Sequence, residues 1–476
     1  MDWRLNIVSL LGMIGLCIVA WLGSENKRII PWKVIIFGIS IQLLIGLLVF
    51  VLPTRDLIAG LNNLLNAVLD ASEAGARFLF TDLFVPNPNA PVAGLGTAGR
   101  WISRTLSDPY VPLPGERLGA GNLNPGYIFA FRALPQVIFF SGLISLLYRL
   151  NIIQPIVKVF AQVFRQLMNI SGAESLAGAA NIFVGIESAI AVKPFLMEMS
   201  RSELCAILTS CFGSIASTVL ALYAGLLRPV FPAITGHLVS ASIMTIPACF
   251  VISKLLVPET TVPKTLGKVP EEEMDPVMVR PSPVDSLIIG ALDGVKMAVG
   301  IAAVLIAILG VVALVDIFFN NLSAWITGTF SGTGETSLLV QFFSAPLSNF
   351  LGVLFLPLTF LTGVSLEWQE LWQSSVIIGR RLLETNIPPY LTLARLTESG
   401  ALSDRALLII SYVLCGFTHI PSYGIFVGGL SSLVPERRSE ISALGWKALW
   451  AGTLATLMTG CVAGLFDFGN AAILGR

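Results

Sequence analysis

The chain has 476 residues, in which 29 Lys and Arg balance 29 Asp and Glu for a formal net charge of zero. Only 12% of residues are charged, 55% are hydrophobic, and the mean hydropathy is +0.81. Soluble globular chains carry about 25% charged residues, so this composition argues against a disordered chain, a nucleic-acid binder with a basic footprint and a cytosolic enzyme.

The apolar stretches are continuous, as from Val34 to Leu52, and read as membrane helices rather than as the alternating strands of a barrel. The first two spans lie at 6–23 and 30–52. Ile7 to Leu22 imitates a signal peptide, but it lacks an A-x-A site and a second span follows at once, so it reads as a retained helix. Residues 55–80 are amphipathic: Leu57, Leu61, Leu64, Leu65 and Val68 recur at helical spacing, with Asn62, Asn63, Asn66 and Asp70 opposite. The stretch 81–125 is rich in Pro, Gly and Asn and reads as an extramembrane loop. Its Gly94 to Gly99 matches G-x-G-x-x-G without a strand before it or a helix after it, so the match is accidental.

A third span at 127–148 precedes a second amphipathic segment, 152–168, with Ile152, Ile156, Val159, Val163 and Leu167 against Lys158, Gln162 and Arg165. Such segments either lie in the membrane interface or cover other helices. Residues 172–200 are apolar but interrupted, with Glu187 near the centre and Lys193-Pro194 beyond it. This pattern predicts a re-entrant hairpin, opened by a capping box of Ser171 and Glu174. Spans at 205–227 and 232–256 follow. The linker 257–283, with Glu271 to Glu273 and several prolines, divides the chain into halves and reads as a solvated connection. A weaker amphipathic segment at 283–296 leads into a span at 296–318. A second interrupted segment, 368–398, carries Glu384, and spans at 405–433 and 442–467 complete a set of eight. The expected units are therefore 1–80, 81–125, 126–256 with the first hairpin, 257–283, and 284–476 with the second.

The halves echo one another. The first hairpin precedes Cys211-Phe-Gly-Ser-Ile and the second precedes Cys415-Gly-Phe-Thr-His. Interrupted segments at corresponding positions of two halves mark a transporter site near the bilayer midplane. Positive charge at Lys27, Arg28, Lys33, Arg149, Lys158, Arg165, Lys254, Lys264, Lys268, Arg280, Arg437 and Arg438 falls on one side, placing both termini outside. Arg100, Arg104 and Arg117 run against that rule, in a loop long enough to count for less. Cys17, Cys205, Cys211, Cys249, Cys415 and Cys461 lie in apolar runs without metal spacing and read as packing residues.

Several polar residues stand out. A carboxylate at the depth of Glu187 is costly unless it is paired or faces water, so it is either a ligand or ion contact or the partner of Lys193 or of an arginine in the second half. His419 precedes Pro421 in a stretch expected to break its helix and free backbone groups that must line a cavity or bind something. It either hydrogen-bonds a polar cargo, takes a proton, or packs against a carbonyl. Ser214, Ser217 and Thr218, with Asn181, offer oxygens of the type a hard cation prefers. No nucleophile or metal constellation assembles from two histidines and scattered cysteines, which argues against an enzyme.

Together these stretches resemble the concentrative nucleoside transporter family. The resemblance runs from Ser9 to the last span and is strongest in Gly172-Ala-Glu-Ser-Leu-Ala-Gly-Ala-Ala-Asn-Ile-Phe-Val-Gly185, Gly213-Ser-Ile-Ala-Ser-Thr-Val219, and Leu414-Cys-Gly-Phe417 with Gly428-Gly-Leu. It implies an all-α polytopic fold with eight spans, two re-entrant hairpins and interfacial helices, built as an inverted repeat. It also implies a homotrimer, an elevator motion and sodium as the coupling ion. The family's sodium ligands fall on Asn181, Val184, Ser214 and Ile215. The cargo site departs from the family. Its Gly-Gln-Thr-Glu is represented by Gly185-Ile186-Glu187, one residue shorter, followed by Ser188. Its Asn-Glu on the second hairpin falls on Thr385-Asn386 when counted back from Tyr390, or on Glu384 when the nearest carboxylate is chosen. Its Phe and Ser are kept as Phe417 and Ser422, its Asn becomes His419, and Val219 completes the implied set.

A site built to hydrogen-bond its ligand rejects analogues that leave its groups unpaired, so the expected cargo is a nucleoside or a nucleoside-like polar solute, not necessarily an ordinary nucleoside. The alternatives are proton coupling through His419 and Glu187, or a membrane receptor or assembly protein on the same fold. Sodium, the lipid bilayer and a small polar solute are the expected partners, without nucleic acid or a bound cofactor, in a bacterial inner membrane.

Overall fold

The computed structural model describes residues 3–51, 55–85, 128–268, 282–330 and 345–475. Among them are sixteen α-helices. Six are long and apolar enough to cross a membrane, at 3–22, 32–50, 129–149, 234–256, 283–319 and 435–465. The other two expected spans are present as broken helices.

Helices α1 (Trp3–Leu22) and α2 (Trp32–Phe50) lead into α3 (Arg55–Phe84), which runs four residues into the expected loop. The rest of that loop, with Gly94 to Gly99 and its arginines, lies outside the described residues, as do Glu271 to Glu273. Two residues of the polar face of α3 meet protein: Asp70 pairs with Arg228 at 2.7 Å, and Asn66 Oδ1 accepts from Thr235 Oγ1 at 2.9 Å.

Helix α4 (Phe129–Arg149) packs along α10 (Pro283–Phe330). A Cβ on Gly294 would lie 2.7 Å from Ile138 Cα, and one on Gly290 would lie 2.7 Å from Ser141 O. Small residues here let two backbones approach as membrane helices often do. The 48-residue α10 corrects the expected division into an interfacial segment at 283–296 and a separate span. No proline follows Pro283 within it, and Gly290 and Gly294 serve the crossing with α4 rather than a break.

Helix α5 (Ile153–Met168) buries Ile153, Val157, Ala161, Phe164 and Met168. The stripe at Ile152, Ile156, Val159, Val163 and Leu167 faces outward instead, so α5 presents apolar surface on two sides. Helix α6 (Gly172–Ala180) opens with the expected capping box: Ser171 Oγ accepts from Glu174 N, and Glu174 Oε1 accepts from Ser171 N. The linker is not wholly a solvated tether. Thr265 takes the free amides of the first turn of α6, its carbonyl from Gly172 N at 3.0 Å and its hydroxyl from Ala173 N at 3.1 Å. Lys254 is buried and bridges Glu174 at 2.8 Å and Glu259 at 3.3 Å, fastening the same end.

A 3-10 helix (Ile186–Phe195) folds back on α6 to make the first hairpin. The next segment is α7 (Arg201–Gly213) and α8 (Ser217–Leu227), separated by extended residues at Ser214 and Ala216. This corrects the single span expected at 205–227. Gly213 passes so close to α9 (Ile234–Leu256) that a Cβ would lie 2.2 Å from Cys249 Sγ, and the chain leaves the helix at that point.

The second half repeats the order. Helix α10 is followed by the short α11 (Pro346–Leu361), a hairpin of α12 (Trp368–Glu384) and α13 (Ile387–Glu398), and a broken helix of α14 (Asp404–Val413) and α15 (Ile420–Leu433). The long α16 (Arg438–Leu465) closes the half. Pro421 lies in the first turn of α15, where its missing N–H costs little. Helices α9 and α16 pack together, with Thr245 and Thr459 hydroxyls 3.0 Å apart.

Candidate functional site

Both helix breaks meet beside α16. A Cβ on Gly416 would lie 2.6 Å from Gly213 O, and one on Gly452 would lie 2.8 Å from Phe212 Cβ and 3.3 Å from Gly213 N. Three glycines thus bring the break after α7, the break after α14 and the flank of α16 together at backbone distance. Each broken helix ends with carbonyls and begins with amides that its own turns leave unbonded, so this junction concentrates free backbone groups inside an apolar body.

On the first-half side, Asn181 ends α6 and is fully buried. One amide orientation would put its nitrogen 3.3 Å from Cys211 Sγ and its oxygen against carbonyls. We assign the other, in which the nitrogen donates to Gly185 O at 2.8 Å and Val184 O at 3.1 Å, while the oxygen accepts from Ser188 Oγ at 3.0 Å. Cys211 lies one turn before Ser214, so Asn181 and Val184 sit against the end of α7. Ser214 Oγ donates to Ser210 O at 2.9 Å, and both Ser214 and Ile215 are buried. Asn181 and Val184 thus lie beside the end of the helix that leads into Ser214 and Ile215, and all four offer neutral oxygens of the kind an alkali cation accepts. Ser188, expected at the cargo, bonds Asn181. The side chains of Ile186, Glu187, Ser217 and Thr218 lie outside the described residues.

On the second-half side, hairpin two caps the end of α14. Tyr390 Oη donates to Ser411 O at 3.1 Å, Arg381 Nη1 to Val413 O, and Asn386 Nδ2 to Gly416 O. Asn386 Oδ1 is buried without a protein partner. Thr385 holds φ +71° and ψ −175°, a region that a β-branched residue adopts only when its surroundings impose it. The strain sits at the tip that carries Asn386. Glu384 faces elsewhere: Arg380 binds both its oxygens, at 2.9 and 3.0 Å. Of the two sequence alignments, the geometry brings Thr385 and Asn386 to the junction.

His419 begins α15 as its N-cap. Its Nδ1 accepts from Ser422 N at 3.2 Å, and Ser422 Oγ lies 3.0 Å from the same nitrogen. An Nδ1 that accepts a backbone N–H requires the Nε2–H tautomer, in which Nε2–H is a donor with Ser422 Oγ 3.3 Å away. Protonating Nδ1 would remove that acceptor. Phe417 stands edge-on to His419 at 6.0 Å and to Phe426 at 5.9 Å, and Phe426 meets Phe212 at 5.1 Å, so an aromatic wall joins α15 to α7. Val219 is buried in α8. The other histidine, His237, is fully engaged, Nδ1 with Tyr412 Oη at 2.8 Å and Nε2 with Ile473 O at 2.9 Å.

The sequence reading missed Arg381, Tyr390 and the three glycines. An arginine within an apolar hairpin was the available signal for the first.

Three family profiles match the chain: the Na+ dependent nucleoside transporter N-terminus over residues 11–83, nucleoside recognition (Gate) over 130–230, and the Na+ dependent nucleoside transporter C-terminus over 237–464. An uncharacterized transporter of Haemophilus influenzae is 32% identical, covering 98% of this chain and 99% of its own. The nucleoside permease NupC of Helicobacter pylori is 30% identical over 97% of this chain and 98% of its own. Human solute carrier family 28 member 3 is 29% identical over 97% of this chain and 60% of its own. The structure of CNTnw in an inward-facing substrate-bound state superposes with TM-score 0.77 at 29% identity, covering 97% of this chain and 98% of that one. The relatives are transporters and permeases rather than enzymes. The chain belongs to the concentrative nucleoside transporter family.

Proposed function

We propose that this chain is a sodium-coupled symporter that carries a nucleoside or nucleoside-like polar solute across a bacterial inner membrane. The observation that carries the reading is the junction of two helix breaks and two hairpin tips, where Gly416 rests on Gly213. Sodium is held by the Val184 and Ile215 carbonyls, Ser214 Oγ and Asn181 Oδ1, the amide turning so that Oδ1 leaves Ser188 and its nitrogen gives up Val184 O to the ion. Cargo meets Phe417 through its ring face, His419 Nε2–H as donor, Asn386 Oδ1 as acceptor, and Ser422, Val219 and Thr385 at the margins. Ile186 and Glu187, on the second arm of hairpin one, close the site.

Coupling follows from Asn181. Its amide holds Val184, Gly185 and Ser188, the residues that lead into the arm carrying Ile186 and Glu187. An ion that draws the Asn181 oxygen away from Ser188 re-sets that arm, so ion and cargo each favour the same arrangement. A ligand shifts an equilibrium only through such a differential interaction. Sodium is preferred to a proton because His419 Nδ1 is committed as an acceptor to α15.

Two re-entrant hairpins and the broken helices, packed on α9 and α16, act as the moving body. The α4–α10 pair, with α3, acts as the scaffold of a homotrimer. In an elevator motion the Asp70–Arg228 and Asn66–Thr235 contacts between these bodies are broken and remade.

The test is uptake of labelled uridine and adenosine into proteoliposomes, driven either by an inward sodium gradient or by a pH gradient in sodium-free buffer. The reading expects accumulation only with sodium. Accumulation driven by the pH gradient alone would favour the proton-coupled alternative, and saturable binding without uptake would favour a receptor.

A further inference from the structure

The two halves differ at one position of their shared plan. Each broken helix ends at the junction with its carbonyls pointing out, and the partial negative charge at a helix C-terminus favours a cation there. At the end of α7 the polar side chains are neutral: Asn181 lies against Cys211, and Ser214 caps the helix. At the end of α14 the structure holds a covalently attached cation. Arg381 is 1% exposed, and its Nη1 donates to Val413 O, the last residue of α14, and to Thr456 Oγ1 at 3.1 Å. Thr456 in turn donates to Thr453 O at 2.9 Å within α16, which keeps its oxygen lone pairs available to the guanidinium. Arg381 Nη2 is buried with no partner, and no carboxylate bonds Arg381 among the described residues. Glu384, one turn away, is taken by Arg380.

Burying a charge without a counter-charge costs several kcal/mol, so the guanidinium must be held by the carbonyl end it faces. We infer that Arg381 is a resident cation, doing for the end of α14 in the second half what sodium does for the end of α7 in the first. It rests on the sodium assignment above for the comparison, but not for its own chemistry. Its consequence is that hairpin two carries its own cation at its helix break, whereas hairpin one meets its break through neutral groups and takes a cation there from solution. Tyr390 and Asn386, which bond Ser411 O and Gly416 O, complete the permanent clamp.

The test needs neither cargo nor sodium. Thermal unfolding is followed for the full-length purified chain as wild type, Arg381→Ala, Arg381→Lys and Arg381→Met, each in potassium buffer with millimolar guanidinium chloride or millimolar urea. Guanidinium at that level is far below denaturing concentration, and a ligand that binds only the native state raises Tm by mass action. The inference expects Arg381→Ala to lose stability and to regain at least half of the loss with guanidinium but none with urea, the neutral isostere. Arg381→Lys should lie nearer the wild type than Arg381→Met does. Equal responses of Arg381→Ala to guanidinium and urea would overturn the inference, as would Arg381→Met matching the wild type. If Arg381→Ala does not fold, the Lys and Met variants decide: equal loss in both shows that the charge is not what matters. Failure of sodium-driven uptake in the wild type would leave these readings unchanged.

Discussion

Replacing Gly416 by alanine tests the junction at one atom. The added Cβ would lie 2.6 Å from Gly213 O and 2.7 Å from Thr456 Cγ2, where ordinary contact begins at 3.4 Å. Neither neighbour yields cheaply, since one is backbone and the other stands on α16. The breaks must separate by about 0.8 Å, a shift of the size that costs about 100-fold when groups must be aligned for function. Overpacking of this kind costs about 1–3 kcal/mol. Gly416→Ala should therefore lower transport by about 10- to 100-fold while the chain still folds, with a measurable drop in Tm. Gly424→Ala and Gly428→Ala are the controls, because nothing lies within 4 Å of a Cβ at either position. Uptake and thermal unfolding are measured side by side. Wild-type uptake in Gly416→Ala, or equal losses in the controls, would refute the reasoning.

His419 and Glu25 give further outcomes. His419→Ala removes the N-cap of α15 and should cost about 0.5–2 kcal/mol, whereas His419→Asn keeps a capping oxygen. The Asn variant should hold its Tm and change only its ranking of cargo in competition uptake; equal destabilisation of both variants would contradict the capping role. Glu25 sits in the loop between α1 and α2, where a hydrogen bond from Arg201, with Lys447 beside it, holds its carboxyl below the usual value. A depressed carboxylate stabilises the fold above its unfolded pKa of about 4.3 and loses that contribution as pH falls through the folded value. Glu25→Gln should therefore lower Tm at neutral pH and flatten the loss of Tm on acidification below about pH 4; an unchanged acid limb would contradict it.

Much of the architecture was legible because a membrane span is a matter of length and apolarity, and six spans are simple helices. The capping box at Ser171 was legible because its residues are adjacent in sequence. The break after α7 was not, since 205–227 is apolar throughout and the close approach of Gly213 to Cys249, where the helix ends, depends on the fold. The continuity of α10 was hidden by the change from a weakly amphipathic stretch at 283–296 to an apolar one, across which the helix runs on. At the site, the proximity of Asn181 to the end of α7 was readable as motif. The choice between Glu384 and Asn386 was not, because it depends on Arg380 claiming the carboxylate and on the turn at Thr385 aiming the amide at Gly416 O. The bond between Ser188 Oγ and Asn181 was not legible either, since it depends on how the chain turns between them.

The most direct test of sodium coupling is cargo binding as a function of sodium in the wild type, Asn181→Ala and Ser214→Ala. Thermal shift is measured with a panel of nucleosides, bases and other polar solutes in sodium and in potassium. The account predicts a ligand-dependent rise in Tm that appears only in sodium in the wild type and is lost in both variants. An equal rise in potassium, or one that survives Asn181→Ala, would contradict it.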